Sequence, residues 1–259
     1  MKVYETGNIR NVVVMGHGGC GKTTLVEAIA YQTGITARMG KVTDGNTISD
    51  YDKEEQKRQF SISTSVVPVE FEDIKINFLD TPGYFDFVGE VEEACHAAGA
   101  AVIVINGKSG VEVGTLKAWE LCEKYKLPRL FFVTGMDDDQ ASYRKIVLEL
   151  NDRFGRKVAP FHVPIRENEK FVGFVNVVKM KGRRFINDTS EYEECDIPDY
   201  MDKHLNISRD ALVEAVADTS EELMERFVRG DASRNTEGSG LGRLVRETCD
   251  AIAGIPISS

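Results

Sequence analysis

Short apolar runs alternate with stretches of helical periodicity along the first 154 residues. Asn11-Val12-Val13-Val14-Met15 reads as a buried strand, and Thr24-Leu25-Val26-Glu27-Ala28-Ile29-Ala30 as the helix after it. Ile62–Val69 and Ile74–Asp80 are predicted strands, Asp86–Ala98 a helix, and Ala100–Asn106 a strand that is apolar up to its last residue. Thr115–Tyr125 (helix), Leu130–Thr134 (strand) and Ala141–Phe154 (helix) continue the series. This alternation predicts an α/β fold, a mostly parallel sheet with helices on both faces. Ligands in such folds sit at the carboxyl ends of the strands. Beyond residue 154 the pattern changes. His162–Ile165 and Phe171–Lys181 read as strands of a small antiparallel unit that ends in Gly182-Arg183-Arg184-Phe185. Asp188–Asp199 is acidic and irregular. Asp210–Phe227 is a predicted helix, with Leu212, Val213, Val216, Leu223 and Phe227 roughly on one face. The expected organisation is a core at 1–154, a small inserted α+β subdomain at 155–228, and a divergent C-terminal end of the core at 229–259.

The chemistry enters between the first strand and the first helix. Gly16-His17-Gly18-Gly19-Cys20-Gly21-Lys22-Thr23 has the spacing of a phosphate-binding loop, Gly-x4-Gly-Lys-Ser/Thr. Its glycines let several N–H groups converge on phosphate oxygens, and the helix N-terminus adds partial positive charge. Lys22 can reach the β- and γ-phosphates, and the Thr23 hydroxyl can bind Mg²⁺. Asp80-Thr81-Pro82-Gly83 closes another apolar strand. A carboxylate there can serve a Mg²⁺ shell, and Gly83 N–H can approach a γ-phosphate because no side chain intervenes.

Composition limits the function classes. The chain has 259 residues, 42% hydrophobic and 29% charged, with a formal net charge of −10. That acidity argues against binding to naked nucleic acid, whose phosphates repel it. No apolar run is long enough to span a membrane, and residues 1–10 lack the apolar stretch of a secretory signal. The five cysteines, at 20, 95, 122, 195 and 249, form no metal-binding spacing and fit buried thiols in a reducing cytoplasm.

With both motifs in place, the chain resembles the translational GTPases, specifically elongation factor G and its paralogues that read Asp-Thr-Pro-Gly-Tyr. Asp80 to Glu92, Ser109-Gly110-Val111-Glu112 and Lys126-Leu127-Pro128-Arg129 carry the likeness, which spans roughly residues 8–230. The resemblance implies a P-loop NTPase fold and Mg²⁺-dependent GTP hydrolysis. It implies that Gly16, His17, Gly18, Gly19, Cys20, Gly21, Lys22, Thr23 and Thr24 cradle the phosphates of GTP or GDP. Arg58-Gln59-Phe60-Ser61 falls where the family has Arg-Gly-Ile-Thr, so Ser61 would join Thr23 and Asp80 around the metal. Asp80 and Gly83 would belong to the second switch, and Asp137 would read guanine. The implied partner is the ribosome, for a cytoplasmic protein expected to be monomeric.

Four departures bear on activity. The family's water-positioning His is Tyr84 here, and a phenol's weaker basicity and greater length predict slow or differently activated hydrolysis. The base motif Asn-Lys-x-Asp reads Thr134-Gly135-Met136-Asp137. Asp137 can still accept two charge-assisted hydrogen bonds from guanine. Gly135 removes the Lys that covers the base, and Thr134 removes an amide expected to brace the site. Together these predict an affinity lower by about one to two decades, at roughly 1.4 kcal/mol per decade. Gly19 stands where elongation factor G has Asp, and Cys20 beside it is a candidate reactive thiol near a helix N-terminus. Finally, the match fades near Arg229, with Gly238-Ser239-Gly240 and Asp250-Ala251-Ile252 as faint echoes of the last guanine-contacting loop and its helix. The chain is expected to stop short of the domains that move tRNA. Three readings therefore compete with an elongation-factor-G-like GTPase. They are a nucleotide-binding switch with little or no hydrolysis, a ribosomal-protection factor of the tetracycline-resistance type, and a small-molecule kinase, which would leave Asp80 and Asp137 unexplained.

Overall fold

The computed structural model describes residues 2–155, 158–168, 170–186 and 191–217, together with Glu225. These divide into two compact units that meet in sequence at Thr134/Gly135. The first unit contains strands β1 (Ile9–Gly16), β2 (Ser65–Phe71), β3 (Ile74–Asp80), β4 (Ala100–Asn106) and β5 (Arg129–Thr134). Its helices are α1 (Lys22–Gln32), α2 (Lys53–Arg58), α3 (Val88–Ala97) and α4 (Val113–Tyr125). The strands form one sheet in the order β2-β3-β1-β4-β5. All neighbours are parallel except β2, which runs antiparallel to β3. β2 lies at an edge, where Pro68 costs no central ladder bond.

The alternation of side chains along β1 makes two cores. Val12 and Val14 face α1, packing with Val26, Ala30, Ile76, Phe78, Val102 and Val104. Val13 and Met15 face α3 and α4, packing with Val91, Cys95, Ile103, Ala118 and Cys122. Full burial of each such aliphatic side chain contributes roughly 1.5–3 kcal/mol. The predicted α/β architecture, mostly parallel with helices on both faces, is the observed one.

The boundaries differ from expectation in instructive places. β2 begins at Ser65 instead of Ile62 because the preceding amides are taken by carboxylates. Ile62 and Ser63 N–H donate to Glu55 Oε1 at 2.9 and 3.1 Å, and Thr64 N–H donates to Glu90 Oε2 at 2.7 Å. The helix expected from Asp86 begins as a 3-10 turn at Phe85–Phe87 and turns α-helical at Val88. Helix α2 has no counterpart among the predicted elements. It rests on a capping box in which Asp52 accepts from Glu54 N–H at 2.7 Å while Asp52 N–H donates to the Glu55 carboxylate.

The second unit holds α5 (Tyr143–Phe154), strands β6 (His162–Glu167), β7 (Lys170–Asn176), β8 (Lys181–Phe185) and β9 (Tyr192–Cys195), and α6 (Asp202–Ala217). The four strands form an antiparallel sheet in sequence order. Phe171–Lys181 is not one strand. Asn176 Oδ1 accepts from Lys179 N–H at 2.9 Å and its carbonyl from Met180 N–H at 2.8 Å, which turns the chain between β7 and β8. The acidic stretch expected to be irregular contributes β9 through Arg183 and Arg184, which pair in register with Glu194 and Glu193. Helix α6 starts at Asp202, eight positions before the expected Asp210. Leu223, Phe227 and the C-terminal echoes lie outside the described residues.

Candidate nucleotide-binding site

The phosphate loop runs from the carboxyl end of the central strand β1 into α1, at the point where β3 and β4 diverge to either side. Gly21 occupies the N-cap of α1 with φ +96°, a conformation that a side chain would strain. Lys22 and Thr23 are buried at 6% and 8% exposure, His17 and Gly18 are half-buried, and Gly19 and Thr24 are less enclosed. Lys22 Nζ donates to the carbonyls of His17 (2.9 Å) and Gly16 (3.2 Å), so its ammonium is folded back over the loop.

Asp80 ends β3 directly beside this loop. It is 1% exposed, and among the described residues neither carboxylate oxygen has a hydrogen-bond partner of normal geometry. Burial pushes its pKa up to about 6, while the Thr23 and Ser49 hydroxyls and the Lys22 ammonium draw it down and Asp50 adds to the rise. Thr23 Oγ1 lies 3.2 Å from Ser61 Oγ, and Ser61 Oγ donates to Asp50 Oδ1 at 2.7 Å. A buried unpaired carboxylate beside two hydroxyls is costly without a cation, and these hard oxygens are the donors Mg²⁺ takes. The residues present fit that ion. Thr23 therefore lies beside both Asp80 and Ser61, and Ser61 reaches Thr23 and Asp50. Asp50 and Ser49 were missed, because the loop that precedes β2 lacks periodicity and offers no signal of what is buried.

Thr81 fixes the next turn by donating from both N–H and Oγ1 to the Val14 carbonyl. This places Gly83 against the loop, where a β-carbon would collide with Lys22 Nζ and come within 2.8 Å of Gly18 Cα. Only glycine fits that approach. The Tyr84 ring lies over Gly18 and tilts against Phe60 with centroids 4.7 Å apart. Tyr84 remains 47% exposed. His17 sits 3.6 Å from Glu112 Oε1 and 6.0 Å from the Phe85 ring, and its Nδ1 is buried without a partner among the described residues.

Two expectations need correction. Thr134 does not abandon the bracing role. Its Oγ1 donates to the Cys20 carbonyl at 2.7 Å and to the Ile105 carbonyl at 3.3 Å, because a hydroxyl at this strand end reaches both loop and sheet. Cys20 is not a reactive thiol. It is 1% exposed, and burial raises its pKa more than Lys22 lowers it.

Asp137 lies in the second unit, on a turn three residues past β5. Gly135 adopts φ +63°, and Asp138 N–H donates back to its carbonyl at 3.2 Å. Among the described residues no hydrogen bond or ion pair engages the Asp137 carboxylate. The turn is held from β6. Arg166 donates from Nη1 to the Ala141 carbonyl at 2.5 Å, and from Nη2 to those of Asp138 (3.1 Å) and Met136 (3.3 Å).

Comparison with known proteins agrees with this geometry. The family model described as the elongation factor Tu GTP binding domain matches residues 7–244. A crystal structure of a protein from Thermus thermophilus superposes with a TM-score of 0.84 at 34% identity, covering 95% of this chain and 36% of that one. The chain thus spans about a third of that protein's length.

Proposed function

The chain belongs to the family of elongation factor Tu GTP-binding domains, and we propose that it binds GTP and GDP and hydrolyses GTP with Mg²⁺ in the manner of an elongation-factor-G-like protein. The observation that carries this reading is the buried Asp80 carboxylate beside Thr23 and Lys22 of the phosphate loop, with Ser61 reaching the same Thr23 hydroxyl. Gly16 to Thr24 would hold the phosphates through backbone N–H groups, with Lys22 moving from loop carbonyls to phosphate oxygens. Thr23, Ser61 and Asp80 would hold Mg²⁺, which when bound neutralises negative charge on the β- and γ-phosphates. Gly83 would admit the γ-phosphate to its N–H, Tyr84 would orient the attacking water through its hydroxyl, and Asp137 would accept two hydrogen bonds from guanine.

The same proposal includes the organisation into a GTPase core at 1–154, an inserted subdomain at 155–228 and a divergent core end at 229–259. It places the activity in the cytoplasm, in a monomer, with the ribosome as partner and neither membrane nor naked nucleic acid involved. None of the helices among the described residues is long and apolar enough to cross a membrane.

The contact of Tyr84 with Gly18 and Phe60 favours a second reading, a switch that binds nucleotide with little turnover. Titration with fluorescent GDP, GTP and ATP, with and without Mg²⁺, tests the binding. Guanine-selective binding that Mg²⁺ strengthens is expected, and equal competition by ATP would overturn it. Phosphate release with and without ribosomes then decides between turnover and a silent switch.

A further inference from the structure

The turn that carries Asp137 has little side-chain support of its own. Residue 135 is a glycine with no side chain, and Asp137 has no side-chain partner among the described residues. Something else must fix where its carboxylate points. Three carbonyls of this turn accept from one guanidinium, and two of them, on Met136 and Asp138, belong to the residues flanking Asp137 on either side. The third, on Ala141, closes the turn, where Ala141 N–H also donates to the Asp138 carbonyl at 3.0 Å.

The donor is Arg166, 25 to 30 residues further along, in β6. Its register with β7 slips between Ile165 and Arg166. A bulge of this kind re-aims a side chain that the pleat would otherwise send elsewhere. The strand itself is pinned by Tyr200 Oη, which donates to the Arg166 carbonyl at 3.0 Å. A rigid fork of donors is suited to spanning several acceptors at once, which a lysine's point charge does less well.

We propose that Arg166 is the positioning residue for base selection, holding the 136–141 turn so that the Asp137 carboxylate meets the N1 and 2-amino groups of guanine. This rests on the reading of Asp137 as the guanine-binding residue. It gives the small antiparallel sheet a part in nucleotide specificity, supplied through backbone carbonyls and invisible in any local motif.

The test compares GDP with inosine diphosphate, which lacks the 2-amino donor. Kd is measured for both on the wild-type chain, Arg166→Met and Arg166→Lys, with thermal melts alongside. Loss of one charge-assisted hydrogen bond should make the wild type prefer GDP by about tenfold or more. In Arg166→Met the carboxylate loses its fixed direction: inosine diphosphate, which keeps the N1 donor, loses that one bond, whereas GDP loses the N1 and 2-amino bonds together, so GDP should weaken by about tenfold more than inosine diphosphate and the ratio should fall toward one. Arg166→Lys should lie between. A general loss of stability would lower the melting temperature and weaken both ligands in parallel, leaving the ratio intact. An unchanged ratio in Arg166→Met overturns the proposal. If that variant does not fold, a wild-type ratio in Arg166→Lys overturns it. A wild-type ratio near one would instead overturn the reading of Asp137, and the proposal with it.

Discussion

The Thr134 hydroxyl donates to the Cys20 carbonyl at 2.7 Å, joining the last residue of β5 to a phosphate loop 114 positions earlier in the chain. The same oxygen reaches the Ile105 carbonyl on the neighbouring strand. The loop is therefore anchored to the sheet through a single short side chain, and its shape depends on a residue with no assigned phosphate contact.

Thr134→Val keeps the shape of that side chain and removes the donor. The Cys20 carbonyl would be left without this partner in a buried setting, at a cost of about 1–3 kcal/mol. The expected result is a fall of several degrees in melting temperature and a GDP affinity about tenfold weaker, since the loop must be re-ordered on binding. Calorimetric melting and fluorescent GDP titration measure the two. Thr134→Ser, which keeps the hydroxyl, should stay close to wild type.

Much of this architecture is legible in the sequence because two periodicities and two punctuated loops carry it. Val12 to Met15 are apolar on both sides of the strand, which only a central parallel strand requires, and β3 and β4 have the expected ends. The glycine spacing of 16–23 and the strand-ending Asp80 mark out the phosphate side of the site. The remainder was hidden for a common reason. Asp50, Glu55 and Glu90 act on backbone amides or hydroxyls that lie 7 to 26 positions away, and Arg166 acts on carbonyls as far as 30 positions back. Such bonds leave no local pattern. The split of Phe171–Lys181 was missed because an Asn-centred turn with Met180 at φ +52° contains neither glycine nor proline.

Asp80→Asn should act in opposite directions on the free and the loaded protein. Without a cation, the carboxylate is charged at pH 7, because its pKa of about 6 lies below that pH, and burial costs it more than Thr23, Ser49 and Lys22 return. A neutral amide relieves the penalty, so the metal-free variant should melt a few degrees higher than wild type. It should also lose the strengthening of GDP binding by Mg²⁺. Melts and titrations in EDTA and in excess Mg²⁺ separate the effects. A variant less stable than wild type in EDTA would show that Thr23 and Ser49 already satisfy the carboxylate.

Tyr84→Phe preserves the ring packed on Gly18 and Phe60 while removing the hydroxyl. Nucleotide affinity should change by less than about threefold, because the ring contacts remain. If the hydroxyl orients water, phosphate release should fall by about 10²-fold, the lower range for a single positioning group. Tyr84→His should raise turnover above wild type. Equal release from wild type and Tyr84→Phe would remove Tyr84 from the reaction and favour the silent switch.

The cysteines should divide by burial, with a defined dependence on pH. Cys122 and Cys95 are almost fully buried, and burial raises their thiol pKa values to about 11 and about 12, with Cys20 shifted in the same direction. Thiolate is the reacting form, so iodoacetamide at pH 8 should leave all three unmodified in the folded protein while labelling the half-buried Cys195. The same shifts act on stability. An unfolded thiol ionises near 9.0 and the folded Cys122 only near 11, so its contribution is fully present below pH 9 and is lost as pH rises toward 11. The shift corresponds to about 3 kcal/mol. Melting temperature should therefore fall more steeply between pH 9 and 11 in the wild type than in Cys122→Ala, despite the lower starting stability of that variant. Parallel slopes for the two proteins would show that the Cys122 thiol titrates alike in the folded and unfolded chains.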